Sequence, residues 1–245
     1  MLPKILYSRS FFSNGSGTSY AGGASYTANA AATLYAQWTI TPAVGSYISY
    51  TGGDYTGKWV VLRNTTGAWE IISKESVGDL ELSGATGYAN AVKILNDRCS
   101  IYKNSTYAVS GRSVGATADS IEQIDTTQYP LTYEAARSES LPYHDTYYLS
   151  DQSIISGNDN LKHSSGNVWL ASRRLNVYDN RSSFCVFNLN ENGVLNSRSI
   201  YGQYSNGKTW GDNYAGGVRP VVTLKPGIRI IGGSGTFDNP YTISM

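Results

Sequence analysis

Hydrophobic and polar positions alternate most clearly in the segment KWVVLRNTTGAWEIISKESV (58–77). In its first half, Trp59 and Val61 share one face of a period-two run, and a second run begins at Trp69. The residues between the two runs are polar and end in glycine. This pattern predicts two strands joined by a turn around Asn64–Gly67.

A spacing of three and four residues follows in GYANAVKILNDRCSIY (87–102), after Ser83. This spacing predicts a helix with one apolar face. The residues of that face are Ala89, Val92, Leu95, Cys99 and Tyr102. Two shorter helices are predicted, one at 117–124 with Thr117 as its N-cap and one near 131–137.

The second half of the chain returns to strand patterns after a polar, turn-rich segment at 141–167, which is predicted to be a long loop region. VWLAS (168–172) and GVRPVVTL (217–224) each predict one strand. Residues 182–201 predict a hairpin that turns at Asn192–Gly193, and two more short strands are expected near the C-terminus. This order of elements predicts an α+β fold with an antiparallel sheet.

The composition is typical of a surface protein rather than of a cytosolic enzyme. Charged residues make up only 15% of the chain, whereas Tyr occurs 20 times and Gly 26 times. The formal net charge of +1 provides no field that would hold nucleic acid or an anionic membrane, so no nucleic-acid partner is expected. The sequence contains no window of about 18 apolar residues, so we predict no membrane span in this chain. The first residues, MLPKILYSRSFF, are too short and too broken for a signal peptide.

The N-terminal part is expected to form a separate unit. Residues 1–40 contain Gly/Ser-rich turns and close on the alternating LYAQWT at 34–39. With Asn14–Gly15 and Tyr26–Thr27, this ending resembles a bacterial surface repeat of the internalin B-repeat kind, a small β-grasp-like module. The resemblance implies a partial β-rich surface repeat at 1–40 and a ligand-binding domain at 41–245, both outside the cell. The alternative is a plain β-hairpin extension of the main domain.

Two motifs in the last third carry a second resemblance. WLASR (169–173) is followed later in the chain by GGVRPVV (216–222). Together they resemble the C-type-lectin fold, in the formylglycine-generating-enzyme-like branch used by variable proteins of diversity-generating retroelements. The resemblance implies structural roles for Trp169, Gly217 and Arg219. The GTFDNPYTI ending is similar to gut-bacterial surface proteins that carry the N-terminal repeat.

The second resemblance also implies that the run 176–214 is a ligand-binding surface. In such retroelements mutagenesis falls on template adenines, so Asn codons become codons for Tyr, Ser, Asp, Phe, Cys, Arg and similar residues, and the run is built largely from that set. Glu191, Gln203, Lys208 and Trp210 fall outside the set and are expected to be fixed. Tyr and Trp supply large contacts at small entropic cost, and Ser, Gly and Asn supply adaptable hydrogen bonds. The predicted ligand-binding residues are Asn176, Tyr178, Asp179, Asn180, Arg181, Ser183, Phe184, Asn188, Asn190, Asn196, Ser199, Tyr201, Tyr204, Asn206, Trp210, Asn213 and Tyr214.

Arg219 lies between Val218 and Pro220, within a strand pattern. A guanidinium that faces the core unpaired carries a large desolvation cost. We therefore expect Arg219 either to pair with a carboxylate of the helices, which we favour, or to order neighbouring loops. Pro220 removes one ladder donor, which predicts a local edge or bulge in its strand.

The sequence offers no catalytic arrangement. His144 and His163 each stand alone in a polar loop, without the spacing of a zinc site, and both are predicted to be solvent-exposed. The two cysteines are far apart and are predicted to be unrelated thiols. WGDN (210–213) and FDNP (237–240) match the calcium motifs of sugar-binding C-type lectins only in part. We therefore predict no enzymatic activity, no metal site and no cofactor.

The sequence as a whole predicts an extracellular or virion-displayed receptor or adhesin, on a bacterial cell surface or a phage particle. Its ligand is expected to be a macromolecule, either protein or glycan, bound by a surface that can be hypervariable. Three alternatives remain open. The run can be the Tyr-rich edge hairpin of an ordinary adhesin, the protein can be a fibre- or pilus-like subunit, or it can be a formylglycine-generating-type enzyme, in descending order of preference.

Overall fold

The computed structural model confirms an α+β fold built mostly from antiparallel sheets. The structure describes residues 6–13, 20–21, 34–65, 68–116, 123–138, 145–146 and 150–245. The helix predicted at 117–124 falls almost entirely outside these residues, as does the turn glycine Gly67.

A small three-stranded sheet lies at the N-terminal end, in the order β2–β1–β3. The strand predicted from LYAQWT is confirmed as part of β3, which pairs antiparallel with β1 along its whole length. Asn14–Gly15 and Tyr26–Thr27 lie outside the described residues. The strands are β1 (Leu6–Ser13), β2 (Tyr20–Ala21) and β3 (Leu34–Thr41).

A seven-stranded sheet, here called the outer sheet, follows the order β16–β17–β4–β5–β6–β15–β8. Its β5–β6 hairpin confirms the strands predicted at 58–77. β4 and β17 pair in parallel, with Ile48 opposite Tyr241 and Ser49 opposite Thr242. The strands are β4 (Tyr47–Ser49), β5 (Trp59–Thr65), β6 (Ala68–Ser73), β8 (Ala108–Ser113), β15 (Pro220–Leu224), β16 (Arg229–Gly232) and β17 (Tyr241–Ser244).

A second seven-stranded sheet, here called the central sheet, contains the Tyr- and Asn-rich run. Its main order is β13–β12–β11–β10–β14–β7, and β9 pairs with β10. The predicted hairpin is confirmed, because β11 and β12 turn back at Gly193, whose φ is 74°. The strands are β7 (Asp79–Leu82), β9 (Asp145–Thr146), β10 (Asn167–Tyr178), β11 (Arg181–Asn190), β12 (Leu195–Tyr204), β13 (Thr209–Trp210) and β14 (Tyr214–Gly217).

The described residues form three α-helices and one short 3-10 helix. The predicted first helix is confirmed as α1 (Gly84–Ser100), and Ala89, Val92, Leu95 and Cys99 of its predicted face are buried in one core. Tyr102 is buried too, but it lies beyond the end of the helix and packs in another core, so its place on the helix face is wrong. The third predicted helix is confirmed as α2 (Tyr133–Arg137), which Thr132 caps by accepting a hydrogen bond from the Ala135 backbone. The loop predicted at 141–167 is partly wrong, because α3 (Ser150–Ser156) and a 3-10 helix (Asp159–Leu161) lie within it.

The central sheet is covered on both faces. One face meets α1 through a core that includes Phe184 and Val186 of β11. The other face meets the outer sheet and α3 through a core that includes Phe187 and Leu189. The interior of β11 is therefore buried along its length, because alternate side chains point into two different cores.

The strand predicted at 217–224 is two strands in different sheets. Gly217 ends β14 in the central sheet, and Pro220 begins β15 in the outer sheet. β15 lies between β6 and β8, so the edge alternative predicted for this strand is wrong. The strand does contain a register shift against β8, between Thr223 and Leu224 and not at Pro220. The missing donor is tolerated because Pro220 is the first residue of its strand.

Arg219 occupies this crossing and is fully buried. Its Nε and Nη2 donate to the carbonyl of Ser73 at 2.8 and 2.6 Å, and Nη1 donates to the carbonyl of Leu161 at 2.9 Å. The favoured ion pair with a helical carboxylate is therefore wrong: within the described residues these backbone carbonyls satisfy the guanidinium. Burial lowers the pKa of Arg219 to about 10, so the group remains charged at neutral pH.

A ring of four charged side chains fastens α3 to the outer sheet. Asp151 lies 2.5 Å from Arg63 and 2.6 Å from Arg112, and Glu70 lies 2.7 and 3.0 Å from the same two guanidinium groups. Asp151 also accepts a hydrogen bond from the Gly115 backbone at 2.7 Å. Burial opposes the charge, but the hydrogen bonds and charge of Arg112 hold the pKa of Asp151 below its ordinary value.

We expect Asp151→Asn to lower the free energy of unfolding by on the order of 3 kcal/mol, because it leaves two guanidinium groups with one carboxylate in a largely buried site. Urea unfolding at pH 7 measures this loss. The control is Asp97→Asn, which breaks the exposed ion pair with Lys93 and should change stability by less than about 0.5 kcal/mol. Equal losses in the two variants would contradict the importance of the ring.

Candidate ligand-binding surface

Two turns at one end of the central sheet form a continuous exposed surface. The β10–β11 turn contributes Tyr178–Arg181, and the β12–β13 turn contributes Tyr204–Asn206. Arg181 pairs with Tyr204 across β11 and β12, and the Ser205 backbone N–H donates to the carbonyl of Asn180 at 2.9 Å. We call these seven residues the tip surface. Six of them were predicted to bind ligand, and the structure brings all six together.

The tip surface presents aromatic and charged groups to solvent. Tyr178 is 47% exposed and Tyr204 is 37% exposed. The Arg181 guanidinium lies 4.8 Å from the centre of the Tyr178 ring, a cation–π arrangement that holds both side chains against the turn. Exposed Tyr and Arg are the residues that contribute most to contact energy in protein interfaces.

Helix α2 holds the tip surface from beneath. The buried Tyr133 hydroxyl donates to the carbonyl of Asp179 at 2.6 Å, and Arg137 donates to that hydroxyl at 2.9 Å. The backbone N–H of Tyr133 donates to Oε1 of Gln203 at 2.8 Å. One buried tyrosine therefore fixes both the β10–β11 turn and β12, the strand that leads into the second turn. Gln203 serves this support rather than the surface.

A small polar patch lies beside the tip surface, on the face of the sheet opposite α1. It consists of Asn176, Ser183, Cys185 and Ser199, which neighbouring strands bring together. The Ser183 and Ser199 hydroxyls lie 2.6 Å apart, and Asn176 Nδ2 lies 3.6 Å from Cys185 Sγ. Ser183 is buried and Ser199 half-buried, so their hydroxyls bond mainly to each other.

The indole of Trp210 closes one side of this patch by lying on Gly202. A Cβ atom on Gly202 would lie 2.3 to 2.6 Å from three atoms of that ring, closer than real Cβ contacts. Gly202 pairs with Trp210 on β13 and with Ser183 on β11. The ring can therefore seat on the sheet only because residue 202 lacks a side chain.

Several predicted ligand-binding residues lie inside the fold, and these predictions are wrong. Phe184 is fully buried, with its ring 5.2 Å from Tyr88 and 5.6 Å from Tyr201 in the core against α1. Asn188 is also fully buried, and within the described residues neither amide atom has a hydrogen-bond partner. Ser183 is buried in the polar patch. The physical reason is the position of β11, which has a covered face on each side.

Three other predicted residues have structural contacts. Asn190 Oδ1 accepts hydrogen bonds from the backbones of Asn192 and Val194 and so closes the β11–β12 turn. Tyr201 is half-buried against the α1 core. The Tyr214 ring lies 5.3 Å from Trp169. Asn196 and Asn213 are exposed but lie outside the tip surface.

The residues predicted to be structural are buried, Trp169 in the core between the central sheet and α1, and Gly217 and Arg219 where the chain passes from the central to the outer sheet. Trp169 is fully buried and donates from Nε1 to the carbonyl of Leu80 at 2.8 Å. Gly217 approaches Ser76 so closely that an added Cβ would lie 2.7 Å from its hydroxyl. Arg219 fills the crossing described above.

The site contains no group arranged for covalent chemistry among the residues described. Burial raises the pKa of the Cys185 thiol, which disfavours the reactive thiolate. Both cysteines are free, as predicted, and burial raises the pKa of Cys99 to about 12. The structure describes no group of three or more His, Cys, Asp or Glu side chains that could hold a metal ion. His144 is outside the described residues, and the prediction that His163 is exposed is wrong, since it is only 4% exposed.

Tyr133 and Gly202 are the supporting residues that sequence reasoning missed. Nothing in the sequence around Tyr133 indicates that its hydroxyl reaches the β10–β11 turn. The sequence does distinguish their partners, because Gln203 and Trp210 fall outside the set of residue types from which the surrounding run is built. Their contacts with Tyr133 and Gly202 give a physical reason to expect both to be fixed.

No protein-family model, curated protein or solved structure matches this chain. Among the described residues, no helix has the length and apolar character needed to cross a membrane.

We expect Gly202→Ala to displace the Trp210 ring and to lower the free energy of unfolding by about 1–3 kcal/mol, as overpacking does elsewhere. The control is Gly157→Ala, where the added Cβ would meet its nearest neighbour at an ordinary 3.4 Å. Thermal unfolding and tryptophan fluorescence measure the two effects. An unchanged midpoint and emission maximum in Gly202→Ala would show that Trp210 does not depend on a glycine at this position.

Proposed function

We propose that this protein is a receptor or adhesin that binds a macromolecular ligand through the tip surface. The observation that carries the proposal is the pairing of an exposed, Tyr- and Arg-containing surface with a rigid support. Tyr178 and Tyr204 face solvent, while Tyr133 beneath them is buried and donates its hydroxyl proton to the carbonyl of Asp179 in the turn. A surface held in one conformation before binding loses less entropy when it binds.

A protein ligand fits the tip surface better than a small molecule does. The tip surface consists of two adjacent turns at the end of a sheet, and Tyr178–Arg181 are all exposed. Small molecules bind in concave sites that cover most of their surface. Projecting loops rich in Tyr, Asn, Ser and Arg instead bind other macromolecules, often by entering a recess in the partner.

The variable-protein hypothesis adds that residues of this surface are exchanged in nature while the scaffold remains constant. The structure supports this division in physical terms. Side chains at Asn180 and Asn206 end in solvent, so their replacement removes no packing. Replacement of Phe184 would leave a cavity in the α1 core, which typically costs about 3–5 kcal/mol. With the protein displayed outside a bacterium or on a phage particle, such exchange changes the ligand without unfolding the receptor.

Exchange in nature can be measured by sequencing this gene in many cells of one population. We expect substitutions to concentrate at the codons for Tyr178–Arg181 and Tyr204–Asn206, while those for Phe184, Gln203 and Trp210 stay constant. Codons for β5 and β6 serve as the internal control. Substitutions spread evenly over the gene, or confined to synonymous changes, would contradict natural exchange at the tip surface.

The binding capacity can be measured with a display library randomised at six positions, Tyr178, Asp179, Asn180, Arg181, Tyr204 and Asn206. We expect most members to remain folded and some to bind a test protein such as lysozyme, because the altered side chains project into solvent. A matched library randomised at buried positions of β11 should lose surface display. A tip library that fails to fold, or that yields no binder, would overturn the proposed role of this surface.

A further inference from the structure

The segment Asn158–Gly166 ties the two large sheets together, and we call it the strap. It runs from the end of α3 to the start of β10. Most of its anchors are hydrogen bonds that involve its own backbone. The Arg219 guanidinium bonds to the carbonyl of Leu161, and Lys74 Nζ bonds to the carbonyls of Asn160 and Lys162.

The strap is also attached to β4 and to the end of β6. Asn158 and Asn160 donate from their side-chain amides to the carbonyls of Val44 and Gly45, at 3.2 and 3.0 Å. Glu75 Oε2 accepts hydrogen bonds from the Ser164 backbone and hydroxyl at 2.8 and 2.9 Å. The strap therefore contacts the outer sheet while its last residue leads into the central sheet.

Two side chains of the strap face inward, the apolar Leu161 and the titratable His163. His163 is 4% exposed, and its Nε2 lies 3.1 Å from the carbonyl oxygen of Gly166. A carbonyl can only accept, so the proton of the neutral imidazole sits on Nε2 and Nδ1 carries a lone pair. Within the described residues Nδ1 has no hydrogen-bond partner. A proton added there would have no acceptor.

The charges that face His163 do not favour its protonated form. Burial is the largest cause that lowers the pKa of His163, and the neighbouring cation Arg219 lowers it further. Glu75 and Glu191 act in the opposite direction, but Glu75 Oε2 already accepts two hydrogen bonds from Ser164 and Glu191 is exposed. The Gly166 carbonyl also favours the charged ring but is bonded to Nε2.

Three more charged side chains belong to the strap itself or bond to its backbone. Lys162 pairs with Asp159 at 2.6 Å on the outer side of the strap, and Lys74 adds a further cation at the strap's carbonyls. Protonation of His163 would therefore place a third positive group beside Arg219 and Lys74, with an N–H that finds no acceptor. An unpaired buried charge of this kind is strongly destabilising.

We propose that His163 makes the strap an acid-released clasp: protonation at Nδ1 detaches Asn158–Gly166 and loosens the attachment between the two sheets. The effector is the proton alone, and the device is independent of the ligand bound at the tip surface. Because the folded-state pKa is lowered, the stabilising effect of neutral His163 is fully present above the unfolded value of about 6.5. It is lost as the pH falls through the folded-state pKa.

This pH window separates His163 from Asp151 of the charged ring at α3. The pKa of Asp151 is held below its ordinary value, so this carboxylate keeps its charge throughout the range from pH 7.5 to 5.5. An opening of the strap within that range therefore does not report the protonation of Asp151.

Hydrogen exchange of the strap amides at pH 7.5 and 5.5, corrected for the intrinsic pH dependence of exchange, tests the clasp. Because the folded-state pKa of His163 is lowered from an unfolded value of about 6.5, we expect the opening constant to rise between the two conditions. The rise is at most about ten-fold, which is the limit for a ring that stays neutral in the folded strap at pH 5.5. His163→Gln, which stays neutral, should lose this response, whereas His144→Gln should keep it. An unchanged opening constant in the wild type, or a response that persists in His163→Gln, would overturn the proposal.

A second measurement needs no variant of His163 and so remains valid if that variant does not fold. The chain has 2 histidines, so His144→Gln leaves a single imidazole for proton NMR titration. We expect the remaining C2 proton to titrate at a lower pH in the folded protein than in urea, where it should titrate near 6.5. A folded-state pKa at or above the value in urea would rule the clasp out.

Discussion

The structure depends on one buried cation. Arg219 sits where the chain leaves the central sheet and enters the outer sheet, and it is satisfied by the carbonyls of Ser73 and Leu161. A guanidinium in the interior needs acceptors in a fixed fork, and backbone carbonyls can supply them only if the end of β6 and the strap stand in these places. The crossing, the outer sheet and the strap are therefore positioned by the same requirement.

The side chains of the central sheet become less buried from this junction toward the tip surface. The middle of β11 has a core on each side, whereas its first residue, Arg181, is exposed. Tyr133 connects the buried and the exposed part, because its ring is buried and its hydroxyl holds the β10–β11 turn, whose side chains are exposed. A rigid backbone and replaceable side chains can therefore lie within a few residues of each other, because side chains that end in solvent contribute little to packing.

The sequence predicts elements well and burial poorly. Period-two and period-three-to-four spacing located the β5–β6 hairpin, α1, and the β11–β12 turn, because local backbone geometry produces those patterns. Polar composition predicts exposure in SSFCVFNLN (182–190), and this prediction is wrong, because Ser, Cys and Asn are small enough to be buried when β11 lies between β10 and β12. The split of GVRPVVTL between two sheets and the acceptors of Arg219 depend on segments distant in sequence, which no local pattern reveals. The two tip turns were within the predicted run, but their support by Tyr133 is likewise a long-range contact.

The parallel pairing of β4 with β17 has a mechanical consequence. Tyr47–Ser49 opens the larger part of the fold and Tyr241–Ser244 closes it, so tension applied at the two ends pulls these strands lengthwise past each other. The backbone hydrogen bonds between the two strands would then resist the force together instead of breaking one after another. Resistance to forced unfolding is a matter of rate and not of equilibrium stability. Force applied between these two ends would therefore be resisted by the slow shearing of β4 against β17, even if the equilibrium stability of the fold were modest.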